Sequence, residues 1–486
     1  MNKEIYNLEP KAVWQHFYSL TQIPRPSKHE DMIQDFIVKF GQDLELETIK
    51  DEVGNVIIRK PATPGMENRK GVVLQGHLDM VPQKNSDKAH DFEKDPIEAY
   101  IDGEWVTANG TTLGADNGIG AAAAMAVLAA KDLQHGPIEA LFTCDEETGM
   151  TGAFGLQPDV LKGDILINMD SEDEGELYIG CAGGIDLEAG FTYIPQPVGG
   201  DLKAYKLTVK GLKGGHSGLD IRLYRGNSNK LLFRFLRKAQ ADFEMQIANV
   251  QGGSLRNAIP RESFATVVIP SGFAADFEKS AKEFEQIFIS ELHVKEPDLQ
   301  FFAEATTLPA NVLDADTQTR FINAIYATPN GVIRMSDDME GMVETSTNLA
   351  IINAADGKIS IAALMRSSVD SAKEDLADMM LSVYELAGAD AQLKGGYPGW
   401  KPNPDSEILT LMQGVYNNLY GKVPEIKAIH AGLECGLLGA VYPKWDMISF
   451  GPTIRYPHSP DEKVNIETVE KFWNYLVETL KNVPVK

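Results

Sequence analysis

At 486 residues the chain is too long for one ordinary hydrophobic core, so two or three domains are expected. A hydrophobic fraction of 43% describes a packed globular protein and excludes a disordered one. The net charge of −25, with acids spread along the whole chain and no basic stripe, argues against nucleic acid and anionic membranes as partners.

The opening stretch MNKEIYNLEPKAVWQHF lacks the continuous apolar run of a signal peptide. No run of about 18 apolar residues, the length a spanning helix needs, occurs anywhere. Cys144, Cys181 and Cys435 are too few and too scattered for a disulfide framework, and no CxxC pair exists. A reduced, cytoplasmic compartment is the expectation.

In chain order, KAVWQHFYSLTQI predicts a helix, followed by Pro24 and Pro26. Ser27-Lys28-His29-Glu30 has capping-box form for a second helix, DMIQDFIVKFGQDL. Strand and helix patterns then alternate through VGNVIIRK, GVVLQGHLDM, IGAAAAMAVLAAKDL, IEALFTCDEE and GDILINMDSED. Such alternation predicts an α/β layered domain, in which the Ala- and Gly-rich helix can lie close against a sheet.

From about residue 200 the texture changes. AYKLTVKGL predicts a strand, NSNKLLFRFLRKAQADF a helix, SLRNAIPRESFATVVIP a hairpin and AADFEKSAKEFEQIFISEL another helix. A second pass reads LQFFAEATTL, TQTRFINAIYATP, TNLAIINAADGKISIAALMRSS and KEDLADMMLSVYELAG, which suggests an internally duplicated α+β unit. The Gly/Pro-rich LKGGYPGWKPNPDS marks a return to the first domain, completed by EILTLMQGVYNNLYG, WDMISFG and IETVEKFWNYLVETLKNV. The expected organisation is a catalytic domain over 1–198 and 396–486, with a lid domain inserted over 199–395.

Several polar residues sit where apolar strands end. His77 and Asp79 share one face of GVVLQGHLDM; Asp116 precedes the Ala-rich helix. Glu146 and Glu147 end IEALF, Asp170 ends GDILINMD, and His458 follows WDMISFG. Ligand sites in open α/β sheets gather at the carboxyl ends of strands, which brings these residues to one edge. Singly, each has an ordinary explanation as a turn, a helix cap or a solvated loop. Together they would repel one another unless a cation compensates the charge. Imidazole and carboxylate without thiolate suit a pair of Zn²⁺ ions, with Mn²⁺ or Co²⁺ as substitutes. A bridging carboxylate holding two metals about 3.5–4 Å apart is the usual hydrolytic arrangement.

The motifs GHLDMVP, GADNG, DEETG, NMD and HSPDE, in this order, resemble the co-catalytic zinc peptidases of the M20 clan. Within that clan, GTTLGADNGIG, GGHSG and HAGLECG are most similar to the bacterial aminoacyl-histidine dipeptidases, also called cytosolic non-specific dipeptidases. The resemblance covers essentially the whole chain. It implies that His77, Asp170, Glu147 and His458 are metal ligands, that Asp116 bridges, that Asp79 is the catalytic aspartate orienting His77, and that Glu146 is the general base. In the lid it implies that His216 polarises the scissile carbonyl and that Asn257 and Arg366 hold the substrate, Arg366 at its free carboxylate.

Smaller members of the clan often read GGTD where this chain reads HAGLECG, so Glu434 is a departure. Beside Asp170, it is the expected partner of a substrate α-ammonium group. The implied activity is hydrolysis of unblocked dipeptides, including Xaa-His and carnosine-type substrates, by a water held between two metals. The resemblance also allows a homodimer through the lid, or a duplicated lid that imitates the partner within one chain. The alternatives are another M20-type amide hydrolase (tripeptidase, carboxypeptidase or N-acyl amino acid deacylase) and, from a different class, a non-catalytic metal-binding scaffold. A scaffold would be expected to have lost Asp79, Glu146 or Glu147, and all three are present. Nucleotide binding lacks both a GxGxxG after a strand and a P-loop.

Overall fold

The computed structural model describes residues 4–486. The chain folds as two compact units. The first comprises the residues up to Gly180 with Pro402–Ala428 and Leu433–Lys486; the second comprises Cys181–Lys401 and Ile429–Gly432.

The first unit is built on a mixed sheet in the order Glu47–Lys50, Val56–Lys60, Ile138–Thr143, Val72–His77, Ile165–Asn168, Asp446–Ser449, Glu176–Cys181 and Glu425–Ile429. Its central strands Ile138–Thr143, Val72–His77, Ile165–Asn168 and Asp446–Ser449 run parallel. Every residue of Val72–His77 and Ile138–Thr143 is buried, because parallel strands are covered on both faces. In these strands apolar runs therefore replace polar–apolar alternation.

Helix Ala115–Ala129 packs directly on strand Val72–His77. Two glycines permit this approach. A Cβ at Gly76 would lie 2.4 Å from Asn117 Oδ1, and one at Gly120 would lie 2.7 Å from the Met169 carbonyl. Helix Lys11–Thr21 covers the Ala-rich helix with buried Trp14 and Phe17. The close packing holds the start of Ala115–Ala129, and with it Asp116, over the carboxyl end of the sheet.

The capping box expected at Ser27–Glu30 does not form. Glu30 is the N-cap of helix Asp31–Asp43 but makes no side-chain cap bond there. Its carboxylate instead accepts the amides of Lys28 (2.9 Å) and Asp145 (3.1 Å), while Ser27 Oγ donates to Asp79 (2.7 Å). A buried backbone amide in a loop needs a partner more than an exposed helix start does, and Glu30 serves the buried one.

The second unit is an antiparallel sheet in the order Gln300–Thr306, Leu202–Lys210, Ser263–Pro270, Gln246–Gly252, Val343–Ala355, Lys358–Ser367, Gly183–Thr192 and Asp390–Tyr397, with Gly331–Met335 also paired to Val343–Ala355. Helices Ser228–Phe243, Ala274–Leu292, Ala315–Ala327 and Asp370–Leu386 supply side chains to its apolar core. The hairpin Val343–Ala355/Lys358–Ser367 forms as expected, turning at Asp356 and Gly357, both with positive φ. The other expected hairpin does not. Ala258–Ile259 pairs with Gly215–His216, and Ser263–Pro270 pairs with Gln246–Gly252 and Leu202–Lys210.

The sheet divides into two similar halves that meet where Gln246–Gly252 pairs with Val343–Ala355. Each half has a hairpin, a strand beside it and an edge strand. LQFFAEATTL, read in the sequence as opening the second pass, instead closes the first half against Leu202–Lys210. The corresponding inner strand of the second half is Gly183–Thr192, which precedes both passes in the chain. Repetition of the sheet is thus not repetition in chain order.

Phe235 is fully buried, with its ring 5.5 Å from Phe277, 5.2 Å from Phe284 and 5.0 Å from Phe301. Phe235→Ala should cost the second unit about 3–5 kcal/mol, the usual result of leaving a cavity where an aromatic packed. A lowered midpoint for that unit's transition in urea, with Phe235→Leu intermediate, is the measurement that checks it.

Candidate active site

The four parallel strands end side by side, and their last residues carry the polar groups. His77 closes Val72–His77 and lies in register with Thr143; Asn168, the last residue of Ile165–Asn168, lies in register with Gln75. Asp170 follows by two residues, and His458 lies beyond Asp446–Ser449, with φ +59. Asp145, also at positive φ, bends the chain after Ile138–Thr143 and starts the short helix Glu146–Gly149.

His77 Nε2 lies 3.1 Å from Asp116 Oδ1 and 3.4 Å from Asp170 Oδ1. His458 Nε2 lies 3.2 Å from Asp116 Oδ2 and 2.9 Å from Glu147 Oε2. Asp116 therefore presents one carboxylate oxygen to each imidazole. The donor atoms form two groups that could each hold a metal ion: His77, Asp116 and Asp170; and Asp116, Glu147 and His458. A third overlapping group joins His77, Glu146 and Glu147.

The electrostatics are those of a site short of positive charge. Burial, only partly offset by His77, and the nearby Asp116 charge push Asp170 up to about 7. Burial likewise raises Glu146 well above the usual carboxylate range. The hydrogen bonds that His458 donates to Asp116 and then to Glu147 pull it up to about 11, and His77 is raised because, against its burial, Asp170 and its other carboxylate neighbours prevail. Glu147 Oε1 is buried and accepts no hydrogen bond, and buried Asp170 Oδ1 has only the long contact to His77. Buried anionic oxygens this weakly satisfied, convergent with imidazole nitrogens, fit divalent cations.

Asp79 lies behind His77, with its Oδ1 3.3 Å from Nδ1 of the ring. It also accepts the amides of Glu146 (3.0 Å) and Glu147 (3.2 Å) and the Ser27 hydroxyl. Burial opposes its charge, but His77 and these hydrogen bonds hold its pKa down at about 2. One carboxylate thus orients an imidazole and the backbone of both glutamates. Asp145 turns away from them and accepts the hydroxyls of Thr148 and Thr151. Cys144 also points elsewhere, donating its thiol to the Val53 carbonyl.

Glu434 is 0% exposed. Its Oε2 accepts Gln75 Nε2 (2.6 Å) and Thr143 Oγ1 (2.7 Å), while its Oε1 is buried without a partner. Burial, incompletely offset by His77 and the Thr143 hydroxyl, pushes it up to about 8.

In the second unit, Ser346, Arg366, Gly184 and Tyr397 form one row across adjacent strands, so the side chains share a face. Gly184 has no side chain to intervene, and Arg366 Nη1 reaches the Tyr397 hydroxyl at 3.0 Å. Arg366 Nε is buried without a partner. His216 pairs with Ala258 on a two-stranded ribbon, which puts exposed Asn257 beside it. Nδ1 of His216 accepts the amides of Gly218 and Leu219, both at 3.1 Å, so the proton resides on Nε2.

The structure adds residues to which the sequence assigned no part in the site. Arg25, Ser27, Gln75 and Glu462 surround the first unit's cluster, and buried His430 hydrogen-bonds Ser346 Oγ at 2.7 Å in the second. Glu462 and His430 belong to the quoted motifs HSPDE and HAGLECG, which were the available signal. Arg25, Ser27 and Gln75 carried none, because an arginine between prolines, a serine in a turn and a strand glutamine are ordinary residues.

Comparison with known proteins gives the family. The model of peptidase family M20/M25/M40 matches residues 73–482. The cytosol non-specific dipeptidase of Escherichia coli K12 is 49% identical over 483 residues, covering 99% of this chain and 100% of the relative. The crystal structure of aminoacylhistidine dipeptidase from Vibrio alginolyticus superposes with a TM-score of 0.96 at 52% identity, covering 99% of each chain. The aminopeptidase PepT structure from Bacillus cereus shares the fold, with a TM-score of 0.57 at 16% identity over 98% of this chain and 99% of that one. With its polar cluster at the carboxyl ends of the parallel strands and a family match spanning most of its length, the chain belongs to peptidase family M20/M25/M40.

Proposed function

We propose that the protein hydrolyses unblocked dipeptides, Xaa-His and carnosine-type substrates among them, in a metal-dependent reaction with Glu146 as general base. The observation that carries this reading is Asp116, shared between two donor groups with one oxygen turned to each. The full-length relatives named as dipeptidases support the substrate class.

His77, Asp116 and Asp170 would hold one divalent ion, and Asp116, Glu147 and His458 the other. The mixture of imidazole and carboxylate in the set suits zinc, with manganese or cobalt as substitutes. When bound, such ions lower the pKa of water and polarise a carbonyl. Glu146 takes the proton of the attacking water and delivers it to the leaving amine. Asp79 keeps the His77 ring in place and holds the backbone of Glu146 and Glu147, so base and ligand keep separate directions.

His216 is suited to an oxyanion by its Nε2 proton, and Arg366 to a terminal carboxylate by its unpartnered Nε. Asn257 is the further substrate contact of this unit. Glu434, with its free oxygen and beside Asp170, is the partner proposed for the substrate α-ammonium. A dipeptidase must recognise that group and an N-acyl hydrolase must not.

Activity should vanish on chelation and return with Zn²⁺, Mn²⁺ or Co²⁺. A panel of Xaa-His, β-Ala-His, tripeptides and N-acetyl amino acids should show turnover confined to the dipeptides; turnover indifferent to chelation overturns the reading. Glu146→Ala should lower kcat by about 10²–10⁴-fold while still taking up both ions, as measured by metal content beside steady-state rates. Glu434→Gln should raise KM for dipeptides more than it raises the inhibition constant of N-acetylated analogues, and equal changes in both would remove Glu434 from amine recognition.

A further inference from the structure

The loop that leads into Asp116 is held by more than its own helix requires. The amides of Leu113 (2.7 Å), Gly114 (2.9 Å), Ala115 (2.7 Å) and Asp116 (3.2 Å) all donate to the carboxylate of Glu462, two to each oxygen. A helix cap ordinarily satisfies one such amide. Glu462 is 1% exposed, and its own carbonyl accepts the Thr107 hydroxyl at 2.7 Å, which anchors its backbone. It lies four residues beyond His458, so the loop carrying one imidazole also grips the loop carrying the shared carboxylate.

Arg25 completes the connection. Its buried guanidinium donates through Nη2 to the Gly114 carbonyl (2.5 Å), and through Nη1 to the carbonyls of Leu78 (2.8 Å) and Asp79 (3.2 Å). Glu462 holds the amides of segment 113–116 while Arg25 holds its Gly114 carbonyl. Three loops that carry candidate ligands, 77–79, 113–116 and 458–462, are tied through these two side chains.

We propose that Glu462 and Arg25 are positioning residues that set the placement of Asp116, and through it the capacity of the site to take two ions with a shared ligand. This rests on the reading of Asp116 as the bridge. The physical reason is tolerance. A carboxylate that must serve two ions needs placement within about 0.5 Å, which a loop reaches only when its backbone is pinned. Glu462→Gln keeps the shape but loses acceptors: its one oxygen can serve one amide pair, and its NH₂ group would face the other pair of N–H donors.

The test is metal titration of chelated protein by calorimetry, with electron paramagnetic resonance of the Mn²⁺-loaded form. Wild type should take two ions and show a coupled pair. Glu462→Gln should bind the first ion within a few-fold of wild type and the second about 10–100-fold more weakly, with the coupled signal replaced by that of isolated Mn²⁺. Arg25→Lys keeps the cation but loses the fork, and should shift the second ion in the same direction. It carries the test if Glu462→Gln does not fold. A purely structural role would lower the melting temperature of the metal-free variants and leave two ions bound with wild-type affinity and coupling; that result overturns the proposal. Wild type binding fewer than two ions would instead sink the dinuclear reading itself.

Discussion

The first unit is organised around a concentration of negative charge that the fold cannot neutralise with its own cations. Asp79, Asp116, Glu146, Glu147, Asp170 and Glu434 surround two imidazoles at the carboxyl ends of the parallel strands. The raised values of Asp170 and both imidazoles have one origin: burial withdraws solvent from the carboxylate, and each imidazole is shared among several acids. The weakly satisfied oxygens of Asp170 and Glu147 are the local sign of the same deficit. Divalent cations would resolve it, and the chemistry proposed for the protein follows from what such cations do.

Holding that charge in place requires rigid surroundings, and these come from parts of the chain remote in sequence. Gln75, Thr143 and Asn168 are polar residues inside otherwise apolar strands; the first two bind Glu434, and Asn168 donates to Gln75. Gly76 and Gly120 let the Ala-rich helix approach the sheet without a Cβ in the way. Ser27, expected in a capping box, bonds Asp79 instead, and Glu30 bonds the amide of Asp145. Local preference yields to the larger cost of leaving a buried polar group unpaired.

The second unit separates its two tasks by the period of its strands. Alternate side chains face the phenylalanine-rich core under the helices or join the polar row of Ser346, Arg366 and Tyr397. The similar halves of the sheet explain why two passes of similar texture appear in the sequence. Pairing, not chain order, decides which strand belongs to which half, because an antiparallel strand can be supplied by any segment that reaches its neighbour.

Family and fold class could be read from the sequence without the structure. Charged residues that end apolar strands are conspicuous in one dimension, and the strand-end rule gathers them at one edge. The convergence of His77, Asp116, Glu147, Asp170 and His458 was legible for this reason. Only the tertiary structure decided which groups support them. Arg25 and Glu462 act through backbone carbonyls and amides, which every residue possesses, so no residue type announces the bond. His430 meets Ser346 across 84 positions of chain, and the closing strand of each half-sheet was likewise a matter of pairing partners. Such contacts depend on which distant segments become neighbours, and that is settled by packing of the whole chain rather than by local pattern.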